Sequence, residues 1–563
     1  MANESTVAGG IKILVVDDER LIRLTMSARL KAAGYTPVAV ATVNEAVAIL
    51  KDQHHAFSAI ISDIMMDDMD GFVFRDIVRG FDSAMPFFFL TALDPEEGSG
   101  FLKKIVADPM SYYLPKAAGT DVLIKRVQRI VASRRVERFI LRQVDEQKRS
   151  LALAAHVQRS MLPRRMLLTV RGFYTTWWRP QDIVSGDLYE AVPYGFGRYL
   201  YVLGDIQGHG TAAALAMTAV QAFIKQLTRA EGVPSASVAD IANLLHKFFR
   251  ANLADISYMT AVICIHDPLA DIVKWISCGA PDLVVVDGGR RVDANPEHRG
   301  SLPIGLMPDT QYVSADEVVT PLSQTAVCIL YTDGIQDLAR SDGGNDAVGI
   351  SDETLNDLRV KLVSAAREDG SIFAVPYRII KACEEYGYTN YRDDMTAVLF
   401  GARYIPDGVH NEVVVLAPDI IDKAAQNAGE WCRAQGWSDA IVEQIQLVIE
   451  EKLMNIHDHG FDERDRIRES VALRLKKCRD CAELTVWDCG TPEPSLEVAA
   501  GNADTAFDLA NLDMKNHGRG RLMLRSMCRC IARNRIGALN ETIYYIPLDA
   551  GGQAETTLHE EAK

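Results

Sequence analysis

A multidomain protein of mixed α/β class is predicted by three features. These are its length, an alternation of strand and helix over the first 125 residues, and a change to β-rich texture after a long charged helical stretch. The chain has 563 residues, more than one compact core accommodates, so roughly three or four domains are expected. Hydrophobic residues make up 48% and charged residues 24%, a globular rather than disordered composition. Lys+Arg number 60 against 76 Asp+Glu, a formal charge of −16. That argues against non-specific nucleic-acid binding, and so against direct contact with DNA, but leaves room for one basic patch. Ten Cys are too few for a disulfide scaffold. Cys478 and Cys481 have no second pair at zinc-site spacing. The longest apolar run, Thr211 to Ile224, is Ala-rich, too short for a membrane span, and followed by Lys225. Asp17, Asp18 and Glu19 directly follow the first apolar run, unlike a signal peptide. The expectation is a soluble cytoplasmic protein.

In residues 1–125, Ile11 to Val16, Ala59 to Ile61 and Phe87 to Leu90 are short continuous apolar runs, as buried parallel strands require. Helical patterns lie between them, such as Leu21 to Ala33, stopped by Gly34. Alternation of this kind predicts an α/β doubly wound parallel sheet with its ligand site at the carboxyl ends of the strands. Asp17 and Asp18 end the first strand and Asp63 the third. Their carboxylates would converge, and a Mg²⁺ held by oxygen ligands relieves the repulsion. Thr91 ends the next strand and Lys116 follows "SYYLP". A hydroxyl and an ammonium there could hold a phosphoryl group on Asp63. One such acid is an ordinary turn residue; five suitable residues at successive strand ends are a pattern. The segment resembles the receiver domain of two-component response regulators. The resemblance implies Asp63 as phosphoacceptor, Asp17, Asp18 and Asp63 around the metal, and Thr91, Tyr113 and Lys116 as the switch set. Asp67 and Ala117 depart from the family, which usually has Pro at both positions.

Residues 126–162 form a helical linker. From Asp121 to Met161 there is no Gly or Pro, and Val136, Ile140, Val144, Leu151 and Val157 fall near helical spacing. The segment is either a solvated surface helix or a coiled coil joining two copies; a homodimer is the preferred expectation.

Residues 163–404 turn β-rich, with runs Tyr199 to Leu203, Ala261 to Ile265, Ala326 to Tyr331 and Thr396 to Phe400. Acidic turns flank these runs: Asp187 in "VSGDLYE", Asp205 in "YVLGDIQGHG", Asp333 in "ILYTDGIQD", and Asp393 with Asp394 in "YRDDMT". Asp-Gly after a strand is usually only a turn. Four such turns in one region suggest carboxylates gathered round metal ions. Oxygen ligands without Cys or His favour Mg²⁺ or Mn²⁺ over zinc. Two ions ~3.5–4 Å apart can carry a bridging hydroxide and clamp a phosphoryl oxygen. These motifs resemble the SpoIIE-like bacterial branch of the metal-dependent protein phosphatases. That implies an α+β, ββαα sandwich hydrolysing phosphoserine or phosphothreonine of a partner protein. Asp205 would bridge the metals, with the Ile206 carbonyl, Asp333 and Asp393 as further ligands and Asp187 acting through water. His209, in the family's Gly-His-Gly turn, is not taken as a ligand. Ser185, Gln207 and Asp337 replace the usual Gly, Ser and Glu.

After a polar stretch, Pro406 to Asn411, residues 411–550 carry a helix over Ala440 to Asp458 and strands over Glu483 to Trp487 and Glu541 to Ile546. Glu451 and Asn455 share one helix face, one turn apart. Ile445, Val448 and Ile449 turn to the core. Asp488 ends a strand in "TVWDCG", and Gly518 and Gly520 open a helix in "HGRGRLML", where backbone N–H groups can meet phosphates. Together these resemble the GHKL-type anti-sigma-factor serine kinases of the RsbW and SpoIIAB type, an α/β two-layer ATPase fold. The resemblance implies ATP and Mg²⁺, with Asn455 on the metal and Glu451 as base. Asp488 would bind adenine, and Gly490, Gly518 and Gly520 would line the pocket. Pro492 replaces a Gly found in some members. Residues 551–563 read as a disordered tail.

The three resemblances together describe a response regulator of bacterial partner-switching pathways. The expected partners are a sensor histidine kinase, a STAS-type anti-sigma-factor antagonist, and a sigma factor or anti-sigma protein. Two alternatives stay open. The C-terminal domain could chiefly hold a sigma factor with little kinase activity, or be vestigial beside a stand-alone phosphatase.

Overall fold

The computed structural model describes residues 11–91, 99–116, 120–208, 210–229, 236–253, 258–292, 300–340, 349–462, 466, 469–491 and 519–548. The tail expected over 551–563, His209, Ala117, Pro492 and Gly518 lie outside the described residues. The chain divides into two compact units, Met1–Arg149 and Ser150–Lys563.

In the first unit, β1 (Lys12–Val16), β2 (Thr36–Val40), β3 (Phe57–Asp63), β4 (Phe87–Thr91) and β5 (Ser111–Pro115) form an all-parallel sheet of order β2-β1-β3-β4-β5. Alternate residues face opposite sides of a strand, and the apolar runs are buried on both. Leu14, Ile60, Phe87 and Phe89 pack with α2 (Val43–Gln53) and α3 (Gly71–Phe81). Ile13, Val15, Ile61, Phe88 and Leu90 pack with Met26 and Leu30 of α1 (Arg20–Ala32). Thr42 and Asp70 cap α2 and α3 through Glu45 N–H and Phe72 N–H. The helix α4 (Ser99–Val106) precedes β5.

The helix α5 runs from Thr120 to Met161. Val127 and Val131 near its start are buried against the first unit's sheet. Near its end Ala155 is buried with Val184 and Ala214. Between them Val136, Phe139, Ile140, Leu141 and Val144 are exposed, as are Leu153 and Val157 further on, an apolar surface that a lone solvated helix does not need.

The second unit opens with a sandwich of two antiparallel sheets. One contains β8 (Asp187–Pro193), β9 (Tyr199–Ile206), β10 (Met259–Asp267), β11 (Ile272–Cys278) and β14 (Val318–Pro321) in the order β14-β11-β10-β9-β8. The other contains β6 (Met166–Leu168), β7 (Gly172–Arg179), β12 (Val284–Asp287), β13 (Arg290–Val292), β15 (Val327–Tyr331) and β18 (Met395–Ala402) in the order β13-β12-β15-β18-β7-β6. Tyr201, Val262, Trp275, Cys328 and Phe400 interlock between the sheets. Helices α6 (Thr211–Arg229) and α7 (Val238–Asn252) cover the first sheet, and α8 (Asp352–Asp369) and α9 (Val375–Glu385) the second. This is the expected ββαα sandwich. A small ribbon, β16 (Ala339–Arg340) with β17 (Tyr388–Asn390), lies beside it.

The C-terminal sheet joins β19 (Val409–Val415), β20 (Ser470–Lys477), β21 (Cys481–Asp488), β22 (Cys530–Ile536) and β23 (Leu539–Pro547) in the order β19-β20-β21-β23-β22. One face packs under α10 (Pro418–Ala434), α11 (Asp439–His459) and Leu524 of α12 (Arg519–Met527). The other face packs on the sandwich: Ala472, Trp487, Ile536 and Leu539 share one core with Phe373, Tyr377 and Ile380. The polar stretch Pro406 to Asn411 is therefore not simply a separator. Val409, His410 and Asn411 pair with Lys476, Leu475 and Arg474. The polarity of Asn411 serves this seam, because its amide donates to the Gly370 carbonyl at 3.0 Å.

One buried acid in the sandwich carries a testable consequence. Glu190 on β8 is 1% exposed, with the Lys225 ammonium 3.5 Å away. Burial pushes its carboxyl up from 4.5 to about 7, against the pull of Lys225. The native state thus holds a proton between pH 4.5 and about 7 that the unfolded chain has released. This site's stability is complete below 4.5 and lost as pH rises to about 7. Glu190→Gln is expected to raise the melting temperature at pH 8, by the equivalent of about 3 kcal/mol at most, with the gain vanishing near pH 4.5. A gain independent of pH in thermal melts would refute this.

Candidate functional sites

In the first unit the strand order reverses between β1 and β3, which opens a crevice at their carboxyl ends. One carboxylate oxygen each from Asp17, Asp18 and Asp63 lie within 4.8 Å of one another. Lys116 Nζ donates to Asp63 Oδ2 at 2.6 Å and lies 3.5 Å from Asp17 Oδ2. Although burial opposes its charge, these carboxylates raise the Lys116 pKa. Asp17 is 1% exposed, and burial raises its pKa. Three acids beside one lysine leave negative charge to neutralise, which fits a divalent cation. The Ile64 amide fixes Asp63 Oδ1 at 2.7 Å. Arg23, unnoticed in the sequence, donates to the Asp17 and Asp18 carbonyls at 2.7 and 2.8 Å and shapes the acidic turn. Tyr113 is half-buried, opposite Phe89 in the ladder. Thr91 ends β4 as expected, but its side chain lies outside the described residues.

In the sandwich, β8 and β9 place Asp187 directly opposite Asp205, a repulsive cross-strand pair unless a cation intervenes. Burial and then Asp333, Asp393 and Asp394 push the Asp205 carboxyl up to about 8. Burial and neighbouring acids likewise raise Asp333 and Asp393. Of these acids, Asp205 and Asp393 line an opening of about 380 Å³, together with Gln181, Asp182, Gly208 and Arg392. Asp187 is fully buried. Its Oδ2 accepts from Thr332 and Thr396 hydroxyls at 3.0 and 2.6 Å, while Oδ1 has no hydrogen-bond partner among the described residues. An orphaned carboxylate oxygen behind a cluster of raised acids fits divalent metal better than an acid-only pocket.

Two acids that the sequence named without assigning them a role enter this picture. Asp337 is among the charges raising Asp333 and Asp393. Asp394 is 5% exposed, and its two oxygens accept from Gln181 N–H and Gly186 N–H at 2.7 Å each. Asp394 therefore anchors the loop leading into Asp187, and Asp393 alone faces the opening. Gly334 is required where it stands: a Cβ there would sit 2.1 Å from the Asp394 carbonyl.

The same loop is gripped from the other side by the end of α5. Gln158, 2% exposed, donates from Nε2 to the Ser185 carbonyl at 2.6 Å and accepts Ser185 N–H on Oε1 at 3.1 Å. Ser185 stands two residues before Asp187.

In the C-terminal domain, Glu451 and Asn455 meet on α11: Asn455 Nδ2 donates to Glu451 Oε1 at 2.9 Å. Ile445, Val448 and Ile449 are buried on the other side. Asp488 ends β21 at 3% exposure, and its Oδ1 accepts from Gly490 N–H at 2.9 Å and from Asn540 Nδ2 at 2.7 Å. Asn540 is a further residue that the sequence did not signal. Gly490 packs against the end of α11, where a Cβ would lie 2.5 Å from the Gly460 carbonyl. Thr491 N–H donates to that carbonyl at 2.7 Å, which latches this loop to the end of α11. Gly520 lies in the first turn of α12.

Comparison with known proteins adds independent assignments. The response regulator receiver domain model matches residues 13–128. The stage II sporulation protein E (SpoIIE) model matches 196–403, and the histidine kinase-like ATPase domain model 414–542. The phosphoserine phosphatase RsbP of Bacillus subtilis (strain 168) is 26% identical over 194 residues, 34% of this chain and 46% of RsbP. The match thus spans less than half the length of that relative. The crystal structure of the RsbU and RsbW domains of a Mycobacterium tuberculosis protein is similar at 15% identity and a TM-score of 0.37, over 69% of this chain and 96% of that one. The SiaA PP2C domain of Pseudomonas aeruginosa is similar at 23% identity and a TM-score of 0.37, over 46% of this chain and 98% of that one. Among the described residues no helix is long and apolar enough to cross a membrane.

Proposed function

From a chain that carries a receiver domain, a SpoIIE-type phosphatase domain and a histidine-kinase-like ATPase domain in that order, we propose a phosphorylation-controlled partner switch. A sensor histidine kinase phosphorylates Asp63, with Asp17 and Asp18 holding Mg²⁺ and Lys116 neutralising the phosphoryl oxygens. The receiver state travels along α5 to the phosphatase. The phosphatase removes phosphate from a serine of a STAS-type anti-sigma-factor antagonist, and the C-terminal domain uses ATP to restore it. Two Mn²⁺ or Mg²⁺ ions supply the attacking hydroxide and the phosphoryl clamp when bound. Asp205, the Ile206 carbonyl, Asp333 and Asp393 would hold these ions, with Asp187 behind them. Thr332 and Thr396 keep the Asp187 carboxylate aimed. Arg392 at the opening offers a cation to the substrate phosphoryl group.

In the C-terminal domain Asn455 holds Mg²⁺ and Glu451 takes the proton of the substrate serine, a role supported by their 2.9 Å contact. Asp488 receives the adenine amino group, and Gly490, Gly518 and Gly520 surround the nucleotide. One observation favours a second reading, a sigma-factor-binding module with little turnover: Asp488 Oδ1 is already held by two groups of its own chain. The exposed apolar residues of α5 support pairing with a second copy of the chain. Ile140→Asp with Val144→Asp should turn a dimer into a monomer in light scattering.

The observation that carries the proposal is the double hydrogen bond between Gln158 and Ser185, which ties the last turns of α5 to the loop bearing Asp187. The test is hydrolysis of an aryl phosphate with Mn²⁺, with and without beryllofluoride as a mimic of phosphorylated Asp63. A change of about fivefold or more is expected in the wild type, the scale of ordinary coupling, and little change in Gln158→Ala. An equal response in both would overturn this route.

A further inference from the structure

The seam between the sandwich and the C-terminal sheet carries a basic groove that the proposed phosphatase site does not use and that meets the proposed kinase site only at Gly490. Two hollows of about 390 and 420 Å³ share Arg159, Arg165, Trp178 and Arg535 as walls. Arg164 joins the first; Arg179 and Lys381 join the second. Three carboxylates, Asp462, Glu469 and Glu384, face these six cations. Such a surplus of positive charge is unusual in a chain of formal charge −16. Arg165 has Glu469 3.6 Å away, but Arg159 and Arg164 form no ion pair among the described residues. Arg179 stacks over the Tyr391 ring at 3.4 Å. Trp178 supplies an indole whose N–H is shielded from solvent and has no acceptor among the described residues.

Guanidinium groups lining one hollow match phosphate oxygens in charge and hydrogen-bonding capacity. A neighbouring indole offers a face for a flat ring and a donor for its polar edge. The hollows are concave and in the size range of small-molecule sites, not a broad surface for a macromolecule. We infer that this groove binds a nucleoside polyphosphate at a site that adjoins the proposed kinase site but does not include its chemistry-bearing side chains. Glu451, Asn455 and Asp488 line neither hollow, whereas Gly490 and Thr491 line the first, and Arg535 donates to the Gly490 carbonyl at 3.3 Å. Arg165 belongs to the sandwich and Arg535 to the C-terminal sheet, so the ligand would bridge the two. This inference does not depend on the kinase reading.

The probe is ATP, with binding to the full chain followed by equilibrium dialysis in EDTA. One equivalent is expected, retained in Asn455→Ala and weakened about tenfold or more in Arg159→Glu with Arg164→Glu. Unchanged aryl-phosphate hydrolysis by that double variant checks its fold. Pyrophosphate should compete more weakly than ADP, and a polyglutamate peptide not at all. Binding lost in Asn455→Ala, binding indifferent to the arginine changes, or no binding in EDTA would each overturn the site. Equal competition by pyrophosphate, or displacement by polyglutamate, would overturn the nucleotide assignment. Failure of Mg²⁺-dependent ATP binding alone would count against the kinase reading and leave this one standing.

Discussion

Asp205→Ala is expected to lower Mn²⁺-dependent aryl-phosphate hydrolysis by about 10³-fold or more, since each tenfold is about 1.4 kcal/mol of lost transition-state stabilisation. The reasoning starts from the ladder. Asp205 stands opposite Asp187, and acids of two further turns, Asp333 with Asp393 and Asp394, act on its carboxyl. The same geometry predicts that the variant is no less stable than the wild type without metal, because its removal relieves repulsion across β8 and β9. Rates and metal-free thermal melts together distinguish a lost metal bridge from a lost fold. A variant that keeps a tenth of the activity, or that melts well below the wild type, would refute the assignment.

Asp63→Asn is expected to abolish labelling by acetyl phosphate and any effect of beryllofluoride on hydrolysis. Asp63 ends β3, its Oδ1 fixed by the Ile64 amide and its Oδ2 turned to Lys116. Phosphorylation there adds about −1.5 to −2 charges beside two further carboxylates, with the Lys116 ammonium as the cation at hand. Intact-mass measurement after exposure to acetyl phosphate should show one added phosphoryl group on the wild type and none on Asp63→Asn. An unchanged increment in the variant would move the acceptor elsewhere.

Much of this was legible because both chemistry and fold were written at strand ends. A buried parallel strand is a short apolar run, and the residue that ends it must be Asp17 or Asp63 for the acids to meet. The helix face of Glu451 and Asn455 was readable from their spacing alone. What escaped had long-range causes. Asp394 looks like the twin of Asp393, yet its hydrogen bonds reach back to Gln181 and Gly186, more than 200 positions away. Asn540 meets Asp488 only because β21 and β23 pair. The polar stretch ending at Asn411 read as a separator because the carbonyl that Asn411 satisfies belongs to Gly370, on the other side of a seam that no local pattern encodes.

That seam has a consequence for how such a chain can be taken apart or inherited. Glu541, on β23, accepts from Arg378 of α9 and from its own neighbour Trp487 at 2.9 Å each. Tyr377 bonds both the Thr176 carbonyl and Cys489. Cutting between Tyr404 and Val409 would leave Trp487, Ile536 and Leu539 bare on one fragment and Phe373 and Ile380 bare on the other. Both pieces would carry a wet apolar face and an unpaired polar network, the makings of aggregation. Recombination that shuffled either domain alone would meet the same barrier, so phosphatase and ATPase are expected to travel through evolution as a pair.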